Sequence, residues 1–468
     1  MHIKLEEAAQ WLDARLFRVA DACAITSVST DTRTLQRGDC YMALKGELLD
    51  GHDYVDKAIE AGASCLIVHR QFPEYAQVNQ LVVADTLSAL GELARHWRDK
   101  MAHIPVAVLS GSSGKTTTKE MAALIVGAHR CLLFTQGNLN NLVGLPRMVL
   151  ELNASHEAAI LELGMNMPGE LARLTDIAMP QCVAVTNITN AHIGMFGSQE
   201  ALYKGECESL QSSGPDTLLI MNADDPLSQR ACLECGRGRR IVSFGIQERA
   251  NIMAENISLL EPYGYRFDLV MDKGVDSGSE RGGHTISVSV ELRIFGRHNI
   301  YNVLQAAAIG RFFGVGAADT AVALCRFRPK SNRSEVEEVD GWHMVKDCYN
   351  ASPSAVEQVL LSLADFHVPG RRFAVLGDMR ELGGMEEEYH ARIGRMAAGL
   401  GLAGIFTLGE RGAMISRAAA AMGAPAEHLP DAETAAQRLH GLLRPGDLVL
   451  IKGSRLMRLE RVCEFLKG

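Results

Sequence analysis

The sequence has little that would suit a nucleic-acid partner or a lipid bilayer. Its 47 lysines and arginines are outnumbered by 56 aspartates and glutamates, so the formal net charge is −9, and no long basic run occurs. Neutralising nucleic-acid phosphates needs a basic patch, so we expect no nucleic-acid partner. No apolar run reaches the roughly 18 residues of a membrane-spanning helix, so we expect no stable membrane insertion.

Signals for export and for a disulfide framework are also missing. The N-terminus, MHIKLEEAAQWL, carries acidic residues where a signal peptide would carry basic ones. The 11 cysteines are odd in number and scattered, which is typical of free thiols in a reducing compartment. Cys232 and Cys235 form one C-x-x-C motif, but no second Cys/His pair follows at zinc spacing, so ordinary cysteines are favoured over a metal or redox site. These features predict a cytoplasmic protein.

A glycine-rich loop lies between a predicted strand and a predicted helix. The segment SGSSGKTT, residues 110–117, directly follows the apolar run PVAVL. Its glycines let backbone N–H groups turn toward phosphate oxygens, and the lysine and threonine suit the outer phosphates and Mg²⁺. A nucleotide-binding loop is therefore favoured over an incidental turn, with contacts from Gly111, Ser112, Ser113, Gly114, Lys115, Thr116 and Thr117.

Length and hydrophobic pattern predict three α/β domains. At about 150 residues per domain, 468 residues suggest about three cores. Apolar runs alternate with helical patterns after the loop, as in a mostly parallel sheet, and residues 252–295 alternate apolar and polar side chains, as in antiparallel strands. We predict a small N-terminal α/β domain (1–84), a central mostly parallel sheet with helices that carries the phosphate loop (85–329) and a C-terminal Rossmann-like α/β domain (330–468).

Three further residues are candidate metal ligands. Glu162 ends an apolar run at the carboxyl end of a predicted strand, where α/β sheets collect ligands, although a partly exposed strand-end glutamate is the alternative. His192 follows the next strand, and by itself a hydrogen-bonded histidine without a metal is favoured. Lys204 would need conversion to a carbamate, which burial promotes, so the residues alone favour a surface lysine paired with Glu206.

Together these segments resemble the Mur ligase family of peptidoglycan synthesis over essentially the whole chain. Besides the loop, Glu162 and His192, the matching motifs are TQGNLNN (135–141), GLP (144–146), KGE (204–206), NADD (222–225) and GRHNIYN (296–302). The segment DCYNASP (347–353) resembles the signature of the family members that add D-alanyl-D-alanine, and LGDM (376–379) and KGSR (452–455) support the same branch.

The resemblance implies an ATP-dependent ligase that uses two Mg²⁺ ions. Such an enzyme activates the carboxylate of UDP-N-acetylmuramoyl-tripeptide as an acyl phosphate and joins it to D-alanyl-D-alanine. Both substrates are small molecules, and we expect a monomer. The alternatives are a Mur-type or folate polyglutamate ligase that adds a single amino acid, against which the Tyr349-Asn350-Ala351 segment argues, and a nucleotide-switched binding protein.

The resemblance also implies roles for individual residues. It assigns catalysis to Lys115, Glu162, His192 and Lys204, the first Mg²⁺ to Thr116 and Glu162, and the second to His192 and carbamylated Lys204. It assigns adenine to Asn299 and Asn302, the ribose to Asp347 and the γ-phosphate to Arg333. Binding of the UDP-linked substrate is expected from Ser29, Thr30, Asp31, Arg33, Lys45, Gly46, Asn138, Asn140 and Asn141.

Overall fold

The computed structural model describes residues 1–17, 24–46, 48–189, 193–272 and 285–467. Within these residues, three successive α/β units each form around their own main sheet. None of the helices in these ranges combines the length and the apolar character that crossing a bilayer requires. Three-residue and four-residue 3₁₀ turns connect several of the elements.

The first unit has a five-stranded sheet in the order β2-β7-β6-β5-β4, counted over the described residues. Strands β4 to β7 are parallel, β2 is antiparallel to β7, and β1 pairs separately with β3. The sequence CLIV of β6 is buried throughout, as an inner parallel strand requires. The elements are β1 (Ile3–Lys4), α1 (Leu5–Trp11), β2 (Arg15–Phe17), β3 (Ala24–Ile25), β4 (Val28–Ser29), β5 (Cys40–Met42), α2 (Val55–Glu60), β6 (Cys65–Val68) and β7 (Asn79–Val82).

The second unit begins with a helix and contains a long mixed sheet. Its helices are α3 (Thr86–Lys100), α4 (Lys115–Gly127), α5 (Gly144–Leu150), α6 (Glu170–Ala178), α7 (Ile193–Phe196), α8 (Gln199–Gln211), α9 (Pro226–Cys235), α10 (Asn299–Phe312) and α11 (Ala317–Leu324). Its strands are β8 (Val106–Ser110), β9 (Leu132–Phe134), β10 (Ala158–Glu162), β11 (Cys182–Val185), β12 (Leu218–Asn222), β13 (Ile241–Gly245), β14 (Ile252–Leu259), β15 (Tyr265–Asp272) and β16 (Thr285–Leu292).

The order of strands in this sheet determines the position of the glycine-rich loop that follows β8. Over the described residues the order is β16-β15-β14-β13-β12-β11-β8-β10-β9, parallel from β9 to β14 and antiparallel from β14 to β16. Every residue of β8, β10 and β11 is buried, because helices cover both faces of the sheet. Strand β8 lies between β10 and β11, so the three carboxyl ends meet at one edge.

The third unit has a second mostly parallel sheet, in the order β17-β18-β22-β19-β20-β21 over the described residues. Only the β17–β18 pair in it is antiparallel. The elements are β17 (Glu335–Val339), β18 (Trp342–Lys346), α12 (Pro353–Ser362), β19 (Arg372–Leu376), α13 (Glu386–Ala398), β20 (Gly404–Thr407), α14 (Gly412–Ala421), β21 (Ala426–His428), α15 (Ala432–His440), β22 (Leu448–Lys452) and α16 (Glu460–Phe465).

The hydrophobic cores show how the units are joined. Residues of the first unit, such as Ile3, Met42 and Ile67, belong to one continuous apolar cluster with α3, α5 and α6 of the second unit. Helices α4, α10 and α11 cover the opposite face of the central sheet. The third unit has separate clusters on the two faces of its sheet, one of which takes in Phe295 from the second unit. The first two units are therefore joined through apolar packing.

The predicted fold class is confirmed, since a small N-terminal α/β domain precedes a central, mostly parallel sheet and a C-terminal α/β sheet. The exact limits at residues 84 and 329 stay predictions. The short strands β9, β13 and β21 were not recognised in the sequence, nor was the hairpin of β17 and β18. Strand β17 reads EVEEV and is only partly buried, so its sequence lacks the apolar run that marks the inner strands.

Candidate active site

A cavity of about 610 Å³ lies between the second and third units, at the edge where β8, β10 and β11 end. The third unit contributes residues that follow β18, together with Lys452, the last residue of β22. Of the predicted site residues, the cavity is lined by Ser112, Ser113, Gly114, Lys115, Thr116, Thr117, Asn138, Asn140, Asn141, Glu162, Asn299, Asn302, Arg333 and Asp347. Folding therefore brings together residues that are as far apart in the sequence as Ser112 and Asp347.

The phosphate loop depends on two glycines with positive φ. Gly111 has φ +116°, and a Cβ there would lie 2.8 Å from the Thr186 backbone nitrogen. Gly114 has φ +84° and precedes α4, and a Cβ there would overlap the Asn302 Oδ1 atom. Both positions combine a left-handed backbone with close neighbours, so only glycine fits. The loop consequently keeps its backbone facing the cavity at the N-terminal end of α4, where the first N–H groups lack helical partners.

Asn187 holds the loop in place. Its backbone carbonyl accepts from the Ser112 N–H at 2.8 Å, and its side-chain Oδ1 accepts from the Ser113 N–H and hydroxyl at 3.1 Å each. Its Nδ2 donates back to the Ser113 carbonyl at 3.2 Å. Sequence reasoning missed Asn187, although a polar residue just after the predicted strand β11 was an available signal.

Lys115 is the first residue of α4 and lines the cavity. Its ammonium donates to the Gly111 carbonyl, so the side chain folds back across the loop. A cation beside the unpaired N–H groups at the start of a helix creates a positively charged site that suits a chain of phosphates.

Glu162 lies beside the loop at the end of β10 and is only 3% exposed. Its carboxylate accepts from the Thr116 hydroxyl, at 3.0 Å to Oε2, and from the Asn140 amide at 2.9 Å. Its backbone N–H donates to Thr135 Oγ1 at 2.8 Å. These partners are neutral, and a buried carboxylate beside a threonine hydroxyl suits a hard divalent cation. Glu162 is therefore a buried residue, and the alternative of a partly exposed strand-end glutamate is wrong.

Magnesium sites of nucleotide enzymes commonly use one or two carboxylates and complete their shell with phosphate oxygens and water. The described ranges contain no group of three or more His, Cys, Asp or Glu residues that could hold a metal by themselves. Thr116 and Glu162 fit an ion that arrives with a nucleotide, because they supply two oxygen ligands at the loop.

The two asparagines predicted to contact adenine lie at the start of α10. Asn299 is 1% exposed and Asn302 is 7% exposed. Asn302 Nδ2 donates to Asn299 Oδ1 at 2.8 Å, and its Oδ1 accepts from the Thr118 hydroxyl at 3.3 Å. These contacts tie the start of α10 to the phosphate-loop helix α4, so the nucleotide loop and the predicted adenine contacts form one rigid wall.

The opposite wall comes from the third unit and contains a buried ion pair. Lys452, 3% exposed at the end of β22, lies 2.6 Å from Asp347 Oδ2. Asp347 Oδ1 accepts from the Ser334 N–H at 2.9 Å. The ammonium also donates to the Asn350 carbonyl at 3.1 Å. Asp347 is thus held rigidly, with its carboxylate on the cavity wall.

Arg333 projects from the connection that enters the third unit. Its guanidinium lies 3.8 Å from the centre of the Tyr349 ring, and both residues line the cavity. Such stacking fixes the direction of a long side chain through cation–π attraction. Tyr349 was noted in the sequence as part of a signature but was given no role there.

His298 was not predicted as a site residue. It precedes Asn299 and lines the cavity, and its Nδ1 is shielded from solvent without a hydrogen-bond partner among the described residues. Burial lowers the pKa of His298 to about 4. The charge of Lys452 also lowers this pKa, whereas the charge of Asp347 raises it. The ring is therefore neutral at physiological pH.

The residues predicted to bind the UDP-linked substrate fall into two groups. Asn138, Asn140 and Asn141 line the cavity, whereas the residues from the first unit lie outside it. These are Ser29, Thr30, Asp31, Arg33, Lys45 and Gly46.

In the first unit, the Arg33 side chain donates hydrogen bonds to both carboxylate oxygens of Asp31, at 2.9 Å to Oδ1 and 2.7 Å to Oδ2. The hydrogen bond from the Arg33 side chain is the main cause that lowers the pKa of Asp31 to about 2, and the charge of Arg147 assists. Arg147 lies on α5, a few residues after the asparagines that line the cavity. It was not predicted as a site residue, and its charge acts on Asp31 across the boundary between the first two units.

Of the two residues predicted to hold the second Mg²⁺, only Lys204 lies in the described part of the chain. His192 lies outside the described residues. Lys204 is exposed on α8 and does not line the cavity, so the burial that would promote its carbamate is not found. Cys232 and Cys235, the C-x-x-C pair, are both free thiols at the end of α9.

Family comparisons match the three units in turn. The Mur ligase middle domain matches residues 109–310, the Mur ligase glutamate ligase domain residues 332–455, and the Mur ligase family catalytic domain residues 24–98. The chain belongs to the Mur ligase family. This Mur ligase is therefore an enzyme of the ligase class, as the resemblance of its motifs predicted.

Curated relatives and solved structures cover nearly the whole of this Mur ligase. It is 32% identical to the UDP-N-acetylmuramoyl-tripeptide–D-alanyl-D-alanine ligase of Bacillus subtilis, over 94% of this chain and 93% of the relative. It is 33% identical to the Escherichia coli ligase of the same name, over 95% and 94%. A crystal structure of MurF from Acinetobacter baumannii superposes with a TM-score of 0.89 at 30% identity, covering 100% and 99% of the two chains. MurF from Thermotoga maritima in complex with ADP gives a TM-score of 0.81 at 27% identity, covering 94% and 97%.

Proposed function

We propose that this Mur ligase joins D-alanyl-D-alanine to UDP-N-acetylmuramoyl-tripeptide at the expense of ATP, through an acyl phosphate, in the cytoplasm. The observation that carries the proposal is the cavity between the second and third units. It is lined by the phosphate loop and Glu162 on one side and by Arg333 and Asp347 on the other. Groups suited to a nucleotide thus meet across a domain boundary, where closure can exclude water.

The choice of substrates is supported by the relatives. Ligases named for UDP-N-acetylmuramoyl-tripeptide and D-alanyl-D-alanine are about a third identical to this chain over more than nine-tenths of its length. The segment 347–353, which carries the D-alanyl-D-alanine signature, supplies Asp347, Tyr349, Asn350, Ala351 and Ser352 to the cavity wall. A segment that recognises the incoming amine would have to lie on the cavity wall, as these residues do.

The site fits ATP with Mg²⁺. Thr116 and Glu162 would hold the ion together with the phosphates, and the ion would neutralise charge on the transferred phosphoryl group. A second Mg²⁺ at His192 and carbamylated Lys204 rests on the family resemblance alone. The solved relative that contains ADP supports nucleotide binding at this fold.

The residues of the chain would act by positioning and by charge. Lys115 would leave the Gly111 carbonyl for the outer phosphates, and Arg333 would face the γ-phosphate from the third unit. The substrate carboxylate takes the γ-phosphoryl group and ADP departs. The dipeptide amine then attacks the acyl carbon, phosphate leaves and the amine loses a proton. Asn299 and Asn302 would hold the adenine and Asp347 the ribose.

Substrate binding would extend from the cavity to the first unit. The asparagines of residues 138–141 would contact the substrate near the reacting carboxylate. The residues of the first unit would hold the UDP end. Because the first and second units share one apolar core, this surface would move little when the third unit closes. We expect the active form to be a monomer.

The decisive experiment measures the mass of the reaction product. Purified protein is incubated with ATP, Mg²⁺ and UDP-N-acetylmuramoyl-tripeptide, together with D-alanyl-D-alanine, single amino acids or a folate with glutamate. We expect mass spectrometry to show the pentapeptide product with the dipeptide only, and ADP and phosphate in equal amounts. Product with a single amino acid would favour the alternative ligases. ATP hydrolysis that needs neither substrate would favour a nucleotide-switched binding protein.

Substitutions of two lysines test whether the reaction depends on the glycine-rich loop. Lys115→Ala should abolish product formation, because the outer phosphates lose their cation. Lys100→Ala removes an exposed lysine on α3, outside the cavity, and should leave turnover unchanged. Normal turnover in the Lys115 variant would refute the assignment of the loop.

A further inference from the structure

Lys330 lies in the connection between α11 and β17, where the chain passes from the second unit to the third. Its Nζ lies 2.5 Å from Glu120 Oε1, and Glu120 is on α4, the helix that begins at the phosphate loop. The Lys330 side chain is 42% exposed and that of Glu120 is 17% exposed. The pair therefore joins the domain connection directly to the phosphate-loop helix.

Glu120 is itself held by a buried neighbour. The Lys119 side chain is fully buried, contacts Glu120 through its ammonium, and donates to the Thr135 carbonyl at 2.7 Å. Burial lowers the pKa of Lys119, and the carboxylate of Glu120 opposes that shift. Thr135 in turn accepts from the Glu162 N–H. Glu120 is thus a fixed carboxylate connected to the core of the site.

Lys330 begins a tight turn that ends at Arg333. The Arg333 N–H donates to the Lys330 carbonyl at 3.1 Å. The turn is fastened to the third unit, because the Tyr349 N–H donates to the Asn332 carbonyl at 3.1 Å and the Ser334 N–H to Asp347 at 2.9 Å. Asn332 and Ser334 have φ of +63° and +51°. The turn therefore has a defined shape, and its hydrogen bonds fasten it to the third unit.

The far end of this turn presents Arg333 to the cavity, stacked on Tyr349. We propose that Lys330 is a positioning residue: its ion pair with Glu120 holds the turn of residues 330–333 against α4, so that Arg333 faces the phosphate loop. This inference rests on the proposed function only for its effect on turnover. Other contacts between the units, such as the 3.0 Å hydrogen bond between the Thr189 and Ser354 hydroxyls, would keep the third unit docked without it.

The first test uses the full chain and measures turnover of the dipeptide ligation. Lys330→Ala should lower kcat about five-fold, the factor that corresponds to the upper range of about 1 kcal/mol for a partly exposed ion pair, and leave KM for D-alanyl-D-alanine unchanged. Lys330→Arg should restore kcat, since it keeps the charge. Arg328→Ala, a change of an exposed cation two residues earlier, should match the parent protein.

A double variant separates positioning from a general effect on folding. In an Arg333→Ala background, Lys330→Ala should cause no further loss of kcat, because the residue that it positions is gone. Additive losses, an unchanged kcat in Lys330→Ala, or an equal loss in Arg328→Ala would overturn the proposal.

A second measurement does not depend on ligase activity. Hydrogen exchange of the ligand-free protein should show faster exchange at the Arg333 and Ser334 amides in Lys330→Ala than in the parent or Arg328→Ala. If the parent protein proved inactive with both substrates, the proposed function would fail while this measurement still tested the turn. Equal exchange in all three proteins would overturn the inference about Lys330.

Discussion

Replacing Gly114 by alanine tests how the phosphate loop and the start of α10 depend on each other. Gly114 precedes α4 with φ +84° and ψ −12°, and a Cβ there would overlap Asn302 Oδ1. Gly169 is a matched control, because it precedes α6 with φ +89° and ψ −17° and a Cβ there would meet nothing within 4 Å. The two substitutions share their backbone strain and differ only in the contact with Asn302.

The magnitude follows from these two parts. Alanine in the left-handed region costs about 1–2 kcal/mol at either position. At Gly114 the Asn302 amide must also move, which weakens its hydrogen bond with the Thr118 hydroxyl and disturbs its contact with Asn299. Overlap and lost hydrogen bonding together add about 1–3 kcal/mol. Gly114→Ala should therefore be the more destabilising change by that difference.

Calorimetric unfolding of the full chain measures the difference, at about 2–4 °C in Tm for each kcal/mol in a domain of this size. Titration with ADP gives the second readout. We expect ADP affinity to fall at least about ten-fold in Gly114→Ala, a loss of about 1.4 kcal/mol, and to be unchanged in Gly169→Ala. Equal Tm values together with equal affinities would refute the reasoning.

Three more predictions concern buried ionisable side chains. Asp347→Asn should destabilise the third unit by about 3 kcal/mol, because Lys452 would stay buried without its carboxylate, and the double change Asp347→Asn with Lys452→Met should recover most of that loss in urea unfolding. Burial lowers the pKa of His298 from 6.5 to about 4. As the pH drops, His298 is therefore protonated in the unfolded chain before it is protonated in the folded one, and the free energy of unfolding should fall by up to about 3 kcal/mol between pH 6.5 and pH 4. His298→Asn should flatten that part of the pH–stability curve. Arg98→Met should cost about 3–5 kcal/mol in the same unfolding assay, since buried carbonyl oxygens, including those of Ala178 at 2.9 Å and Ile104 at 3.0 Å, would lose the guanidinium that donates to them; a cost below about 1 kcal/mol would contradict this role.

Several features could be predicted because their physical cause is local. A strand buried on both faces is mostly apolar, so β10, β11 and β12 stand out as short apolar runs. The glycine-rich loop has two glycines with positive φ followed by a lysine, so consecutive residues were enough to predict it. The motifs that resemble the Mur ligase family are local in the same way, and the predicted family and fold class are confirmed.

Other features arise from contacts between distant segments, and no local pattern encodes them. The half-polar edge strands β17 and β21 become strands only because a neighbour offers unpaired N–H and C=O groups. Arg147, His298 and Lys330 are ordinary polar residues in the sequence, and their surroundings are supplied by other parts of the chain.

The amino-acid sequence by itself thus determined the family, the three α/β units and the position of the glycine-rich loop between a strand and a helix, because each depends on residue types at short spacing. Only the tertiary structure decided that Asn302 lies against Gly114 and that Lys330 pairs with Glu120. The reason is physical: burial, charge pairing and pKa values depend on what surrounds a side chain, and those surroundings exist only after the chain has folded.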